Sequence, residues 1–119
     1  MLTVHGIRNC DTVKKALAWL DANGVDYAFH DYKKAGVDAA QLRRWVAALG
    51  WEAVLNRNGQ TFRKLDAAAT RDLDEAKAVA LMLAHPSAIR RPIVTGRAQP
   101  VVGFKAEHYA AVFARPAKP

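Results

Sequence analysis

The first 31 residues carry the pattern that most constrains this chain: a short apolar segment, a helical repeat and a second apolar segment in close succession. Residues 2–5 are typical of a short strand, and residues 25–31 alternate apolar and polar side chains as a second strand does. The helical repeat between them places four apolar residues on one face: Val13, Ala16, Leu17 and Leu20. Strand, helix and strand in this order normally form a right-handed parallel crossover, so we expect an α/β fold.

The ends of that first helix are also marked in the sequence. The side-chain oxygen of Asp11 or Thr12 is suited to accept from the unpaired N–H groups of a first turn. Gly24 suits the left-handed conformation that ends many helices. The sequence therefore predicts a helix from about Thr12 to Asn23.

Two further amphipathic segments follow in the middle of the chain. The first starts at Asp38 and ends at Gly50, and the second starts after Asp72 and ends at residues 85–86. Their apolar faces consist of Leu42, Trp45, Val46 and Leu49 in the first and of Ala76, Val79, Ala80 and Leu83 in the second. We expect a helical insertion over about residues 38–88.

The last third returns to strands. Residues 93–95 and 101–104 flank a turn around Gly96, which is typical of an antiparallel hairpin. Residues 106–113 predict a closing helix, and residues 114–119 predict a loose tail because they lack an apolar anchor. The whole order predicts one α/β domain over residues 1–119: a mixed four-stranded sheet made of a β-α-β and a β-β-α unit around the helical insertion.

Charge restricts the class of partner. The 18 Lys and Arg residues outnumber the 11 Asp and Glu residues, and the formal net charge is +7. This balance favours anionic partners. The longest basic runs are pairs, and the chain lacks an arginine-rich arm or the aromatic signature of an RNA-recognition motif, so nucleic acid is disfavoured.

Cysteine content and apolar runs indicate the compartment. A single cysteine excludes an intrachain disulfide and a multi-cysteine zinc cage, and the spacing of the four histidines gives no support to a metal site. No apolar run is long enough to span a membrane, and the start of the chain does not resemble an export signal. We expect a monomer in the reducing cytoplasm, away from the membrane and without a bound cofactor.

Cys10 is the first candidate for chemistry. It lies between the first predicted strand and the first helix, where unpaired N–H groups and the helix dipole stabilise negative charge. Arg8, Lys14 and Lys15 add positive charge nearby in the sequence, which also favours the thiolate. The thiolate is the nucleophilic form, so we predict a reactive cysteine. The alternative is a small buried apolar residue, but the side chains around Cys10 are polar.

Arg91 and Pro92 form the second candidate. Proline directly before a strand has a fixed φ, its preceding peptide bond can be cis or trans, and an adjacent arginine can bind an anion through two hydrogen bonds. The polar turn at residues 56–59 is either a loop beside the site or only a turn. His5, at the end of the first strand, is either a structural residue or a hydrogen-bonding neighbour of Cys10, and we favour the structural role.

Three segments together resemble one family. They are GIRNCDTVKKA at residues 6–16, NRNG at 56–59 and RPIV at 91–94, and in this order they are similar to the ArsC/Spx family, in its YffB-like branch. The resemblance runs from Leu2 to about Phe113. It implies a thioredoxin-like fold with a helical insertion, and it places Cys10 on the redox cysteine of the family.

The same resemblance implies a mechanism and a binding site. Arg91 matches an anion-binding arginine that precedes a cis-proline, here Pro92. The implied activity is glutathione-dependent thiol oxidoreduction, in which the Cys10 thiolate attacks an oxidised anionic small molecule or a protein disulfide. Because Cys10 is alone, an external thiol, glutathione or glutaredoxin, must resolve the product. Supporting substrate-binding or glutathione-binding candidates are Arg8, Asn9, Thr12, Lys14, Asn56 and Arg57.

Two alternatives within the family remain. In a true arsenate reductase, two further arginines are expected at positions that fall on Asn56 and Gly103 here, so that Arg57 or Arg8 would have to replace them in space. In an Spx-like regulator, the fold binds RNA polymerase without turnover. Many Spx proteins carry a Cys-x-x-Cys switch, whereas Cys10 is followed by Asp11-Thr12-Val13.

Overall fold

A computed structural model describes residues 1–113, and the predicted tail at 114–119 lies outside the described residues. The chain divides into two compact units. One unit combines Met1–Asp31 with the chain from Arg91 onward, and the other is Tyr32–Arg90. The first unit holds the sheet, and the second is helical.

The sheet has four strands: β1 (Leu2–Gly6), β2 (Tyr27–Asp31), β3 (Ile93–Thr95) and β4 (Val101–Val102). Their order is β2-β1-β3-β4, with β1 parallel to β2 and both other pairs antiparallel. This arrangement confirms the predicted mixed four-stranded sheet, with its β-α-β and β-β-α units. The second strand starts later than predicted because the Val25 N–H donates to the Leu20 carbonyl, 3.0 Å away, and so closes the helix before it.

Two helices of this unit, α1 (Asp11–Ala22) and α8 (Ala106–Phe113), pack with the strands around one apolar core. The buried members of that core are Leu2, Val4, Ala16, Leu20, Val94, Val101, Tyr109 and Phe113. Tyr109 is fully buried, its hydroxyl donates to the Gly103 carbonyl at 2.7 Å, and its ring contacts Trp19 edge-on with centroids 5.6 Å apart. Burial raises the pKa of the Tyr109 hydroxyl, which therefore stays a hydrogen-bond donor.

The start of α1 differs from the prediction. The N-cap is Cys10, not Asp11 or Thr12, because the Cys10 carbonyl already accepts the first helical hydrogen bond, from the Lys14 N–H at 2.9 Å. The other end is close to the predicted one, and Gly24 has the expected left-handed φ of 67°. The difference moves the cysteine onto the helix terminus itself.

The helical unit contains α2 (Tyr32–Ala35), α3 (Ala39–Leu49), α4 (Trp51–Val54), α5 (Gln60–Arg63), α6 (Ala67–Thr70), α7 (Glu75–Ala84) and a 3-10 turn at Pro86–Ala88. Asp38 caps α3 by accepting from the Gln41 N–H at 2.9 Å, and Asp74 caps α7 by accepting from the Lys77 N–H at 2.8 Å. Trp45 is buried, as its place on the apolar face of α3 predicts.

Within residues 1–113, no helix combines the length and the apolar character that crossing a membrane requires.

Candidate active site around Cys10

Cys10 lies at the amino end of α1, four residues beyond the end of β1. Ile7, in the connecting segment, is buried and anchors it, whereas Cys10 is half-buried. The first-turn N–H groups of a helix have no intrahelical partner and carry the positive end of the helix dipole. The fold therefore places the only sulfhydryl of the chain at a point that stabilises an anion.

Three neighbouring polar groups favour the charged form of the Cys10 thiol, although its sulfur makes no regular capping hydrogen bond. They are the backbone N–H groups of Val13 and Thr12 and the side chain of Arg91. Partial burial raises the pKa of the thiol, but the Val13 amide, the polar and charged guanidinium of Arg91, and the Thr12 amide together outweigh it. The net effect lowers the pKa of Cys10 below its ordinary value, which favours the nucleophilic thiolate.

Sheet register explains how Arg91 reaches the cysteine. β3 runs antiparallel to β1 with Ile93 opposite His5, so the residues just before Ile93 lie beside the residues that follow His5. The Arg91–Pro92 peptide bond is cis, the isomer that the family resemblance implies. Pro92 is buried, and its carbonyl accepts from the Gly103 N–H at 2.8 Å. Arg91 itself is half-buried beside the sulfur.

A match to one known protein family covers both Cys10 and Arg91. A model described as the ArsC family aligns with residues 5–112, a range that includes Cys10 and Arg91. The chain belongs to the ArsC family. The similarity extends over nearly the whole of the described chain and agrees with the fold above.

Individual relatives of this ArsC-family chain support the assignment. The solved structure of a protein named YFFB matches with a TM-score of 0.93 and 55% identity, covering 96% of this chain and 100% of that one. An uncharacterized protein of Haemophilus influenzae is 38% identical over 96% of this chain and 100% of its own length. The global transcriptional regulator Spx of Streptococcus pyogenes is 26% identical over 97% of this chain and 87% of its own length.

Other predicted site residues of this ArsC-family chain lie on the surface near the cysteine in sequence. Arg8, Asn9 and Lys14 are exposed, and the Arg8 guanidinium lies over the Phe29 ring, 4.5 Å from its centroid. The sequence attributed the favourable charge at the thiol to its basic neighbours in sequence. In the structure, the cation that lowers the pKa of the Cys10 thiol is instead Arg91, two residues before β3.

Asn56 and Arg57 belong to the helical unit, and their role toward Cys10 stays a prediction. The Asn56 side-chain oxygen accepts from the Asn58 N–H at 3.1 Å, which closes the predicted polar turn. The Asn56 N–H donates to the Ala88 carbonyl at 2.8 Å. The exposed Arg57 lies 3.8 Å from the Glu52 carboxylate, an ion pair that solvent screens.

His5 has a structural place. It is buried within the sheet, its Nε2 is 3.0 Å from the Thr95 hydroxyl, and its ring centroid is 5.5 Å from that of His30 on β2. Burial, and then the neighbouring His30, lower the pKa of His5 to about 4, so the ring is neutral at pH 7. Within the described chain, no three His, Cys, Asp or Glu side chains converge to hold a metal ion.

Sequence reasoning missed the residue whose amide contributes most to thiolate stabilisation. Val13 entered that reasoning only as an apolar face residue, yet its N–H lowers the pKa of the Cys10 thiol more than the Thr12 N–H does. The helix start supplied a usable signal, since the donors to an N-cap group are the amides two and three residues later. With the N-cap predicted at Asp11 or Thr12, the capping amides were assigned to those side chains and not to Cys10.

Proposed function

We propose that this chain is a cytoplasmic, glutathione-dependent thiol oxidoreductase with Cys10 as the nucleophile. The observation that carries the proposal is the place of Cys10 at the N-cap of α1, where two helix-start amides and Arg91 lower the pKa of its thiol. These groups favour the thiolate form of Cys10. Membership of the ArsC family is consistent with chemistry at this position.

The proposed reaction proceeds in two exchange steps at one sulfur. The Cys10 thiolate attacks the glutathione sulfur of a protein–glutathione disulfide, so that a Cys10–glutathione disulfide forms and the protein thiolate leaves. The thiolate of a second glutathione then attacks the glutathione sulfur bound to Cys10. Oxidised glutathione leaves, and the Cys10 thiolate is regenerated; glutaredoxin is the alternative source of the resolving thiolate. A thiol of low pKa serves both steps, because it is ionised before attack and leaves readily afterwards.

Arg91 has two successive roles in this proposal. Before attack, its side chain neutralises the thiolate. Once the sulfur is in a disulfide and uncharged, the guanidinium is available to a carboxylate of glutathione or to an anionic substrate, which it can bind through two hydrogen bonds. Pro92 shapes the pocket wall beside it. Asn9, Thr12, Lys14 and Arg8 are proposed to complete the binding surface, with Asn56 and Arg57 as further candidates.

The pH dependence of alkylation tests the proposal. We expect the iodoacetamide rate constant of Cys10 to rise with a midpoint well below the value of ~8.5 for a free thiol, and millimolar glutathione to slow alkylation. The same protein unfolded in guanidinium is the control and should titrate as a free thiol. A folded-state midpoint at the free-thiol value, with no protection by glutathione, would contradict the proposal.

The relatives named as global transcriptional regulators favour regulation as a second candidate function. By the family resemblance, such a regulator would bind RNA polymerase. The lack of a Cys-x-x-Cys switch at residues 10–13 speaks against a disulfide-controlled regulator but leaves binding open. The expected result of a pulldown with the tagged chain at physiological salt is no enrichment of a polymerase subunit. Clean recovery of one subunit, repeated with purified components, would replace the enzymatic proposal with the regulatory one.

A further inference from the structure

Gly6, the last residue of β1, lies unusually close to the first turn of α1. A Cβ atom built on Gly6 would be 3.0 Å from the Val13 Cγ2 atom and 3.7 Å from its Cγ1 atom. Carbon atoms in contact are normally about 3.5–4.0 Å apart, so this position has no room for even a methyl group. Gly6 is not one of the glycines with positive φ, and its requirement is therefore steric.

Val13 cannot easily give way to such a methyl group. Its side chain is fully buried, with no exposed surface, and protein interiors are packed with few voids. A β-branched residue in a helix has essentially one favourable χ1 rotamer, so rotation does not relieve the contact. Added volume at Gly6 is therefore expected to push on Val13 and, through it, on the first turn of α1.

That turn carries the two amides that favour the thiolate form of Cys10. Cys10 is the N-cap of that turn, and the Val13 and Thr12 N–H groups both lower the pKa of its thiol. A hydrogen bond to a charged group weakens steeply as it lengthens or bends. Displacing the first turn by a few tenths of an ångström would therefore act directly on the sulfur.

We propose that Gly6 is a positioning residue for the Cys10 nucleophile: its missing side chain lets Val13 seat against the end of β1, and this seating sets the place of the first-turn amides beside Cys10. The inference rests on the proposed role of Cys10. It extends the site to the strand end, to a residue that touches neither substrate nor sulfur.

The test is the alkylation pH profile of Gly6→Ala. We expect the midpoint to rise by roughly 0.5–1 pH unit, because a charge-assisted hydrogen bond is weakened. In the double variant Gly6→Ala/Val13→Ala, the methyl group occupies the space that the Cγ atoms vacate, and the midpoint should return toward that of the unaltered protein. If Gly6→Ala does not fold, Val13→Ile provides the same test, since it overfills the contact from the other side at a tolerable cost in stability.

Gly96→Ala is the matched control. Gly96 follows β3 with a φ of 119°, and a Cβ there would lie 3.1 Å from the Leu2 Cα atom, at the opposite end of β1. This variant should lower the melting temperature and leave the thiol midpoint unchanged.

An unchanged midpoint in folded Gly6→Ala or Val13→Ile would overturn the positioning role, as would an equal rise in Gly96→Ala. Because the assay needs no glutathione, these outcomes are distinct from failure of the proposed function, which would appear as a free-thiol midpoint in the unaltered protein.

Discussion

Replacing Cys10 with serine is expected to reduce glutathione-dependent disulfide reduction by about a thousandfold or more, to the rate without protein. A serine hydroxyl fits the same space, and its oxygen can accept hydrogen bonds from the same amides. It does not ionise near neutral pH and cannot form a mixed disulfide with the substrate. The measurement is turnover of a glutathionylated peptide, followed through the formation of oxidised glutathione.

The fold should survive this substitution, because Cys10 is only half-buried and acts as N-cap, a position that serine favours. An unchanged melting temperature would therefore assign the loss to chemistry. Arsenate should be assayed in parallel, since turnover of arsenate but not of the peptide would select the arsenate-reductase alternative. Full activity in Cys10→Ser with either substrate would remove the sulfur-based mechanism altogether.

The sheet was predictable from local patterns. Three features depend only on neighbouring residues: the hydrophobic periodicity of the β1–α1–β2 segment, the helix end at Gly24 and the hairpin around Gly96. The structure contains all three. The strand ends were less predictable, since they depend on single hydrogen bonds. β2 begins two residues later than expected because the Val25 N–H closes the preceding helix.

The site was only half predictable for a related reason. The position of Cys10 at a helix start is a local property, and the sequence indicated it. The contact with Arg91 depends on the register of β3 against β1, across an intervening helical unit of residues Tyr32–Arg90. The spacing of residues along the chain carries no information on that register. Only the family resemblance predicted that Arg91 lies beside Cys10. Steric needs such as that of Gly6 likewise appear only once both elements are packed.

Arg91→Ala is the second substitution with a large expected effect. Removal of the guanidinium takes away a hydrogen bond and a positive charge from the thiolate, so the alkylation midpoint should rise by about one pH unit. Below the new midpoint, the variant has less thiolate and reacts more slowly. With an anionic substrate, we also expect KM to rise roughly tenfold or more, because a bidentate contact is lost.

Two further variants separate the roles of charge and geometry. Arg91→Lys keeps the charge but loses the planar pair of donors, so the midpoint should recover more than KM does. Arg97 is an exposed arginine of the same unit, and its guanidinium lies over the Phe113 ring. Arg97→Ala should change neither the alkylation midpoint nor KM. A normal midpoint with a raised KM in Arg91→Ala would restrict Arg91 to substrate binding. If Arg91→Ala has the alkylation midpoint and the KM of the unaltered protein, Arg91 is not part of the site. The amides of α1 would then be the sole source of thiolate stabilisation.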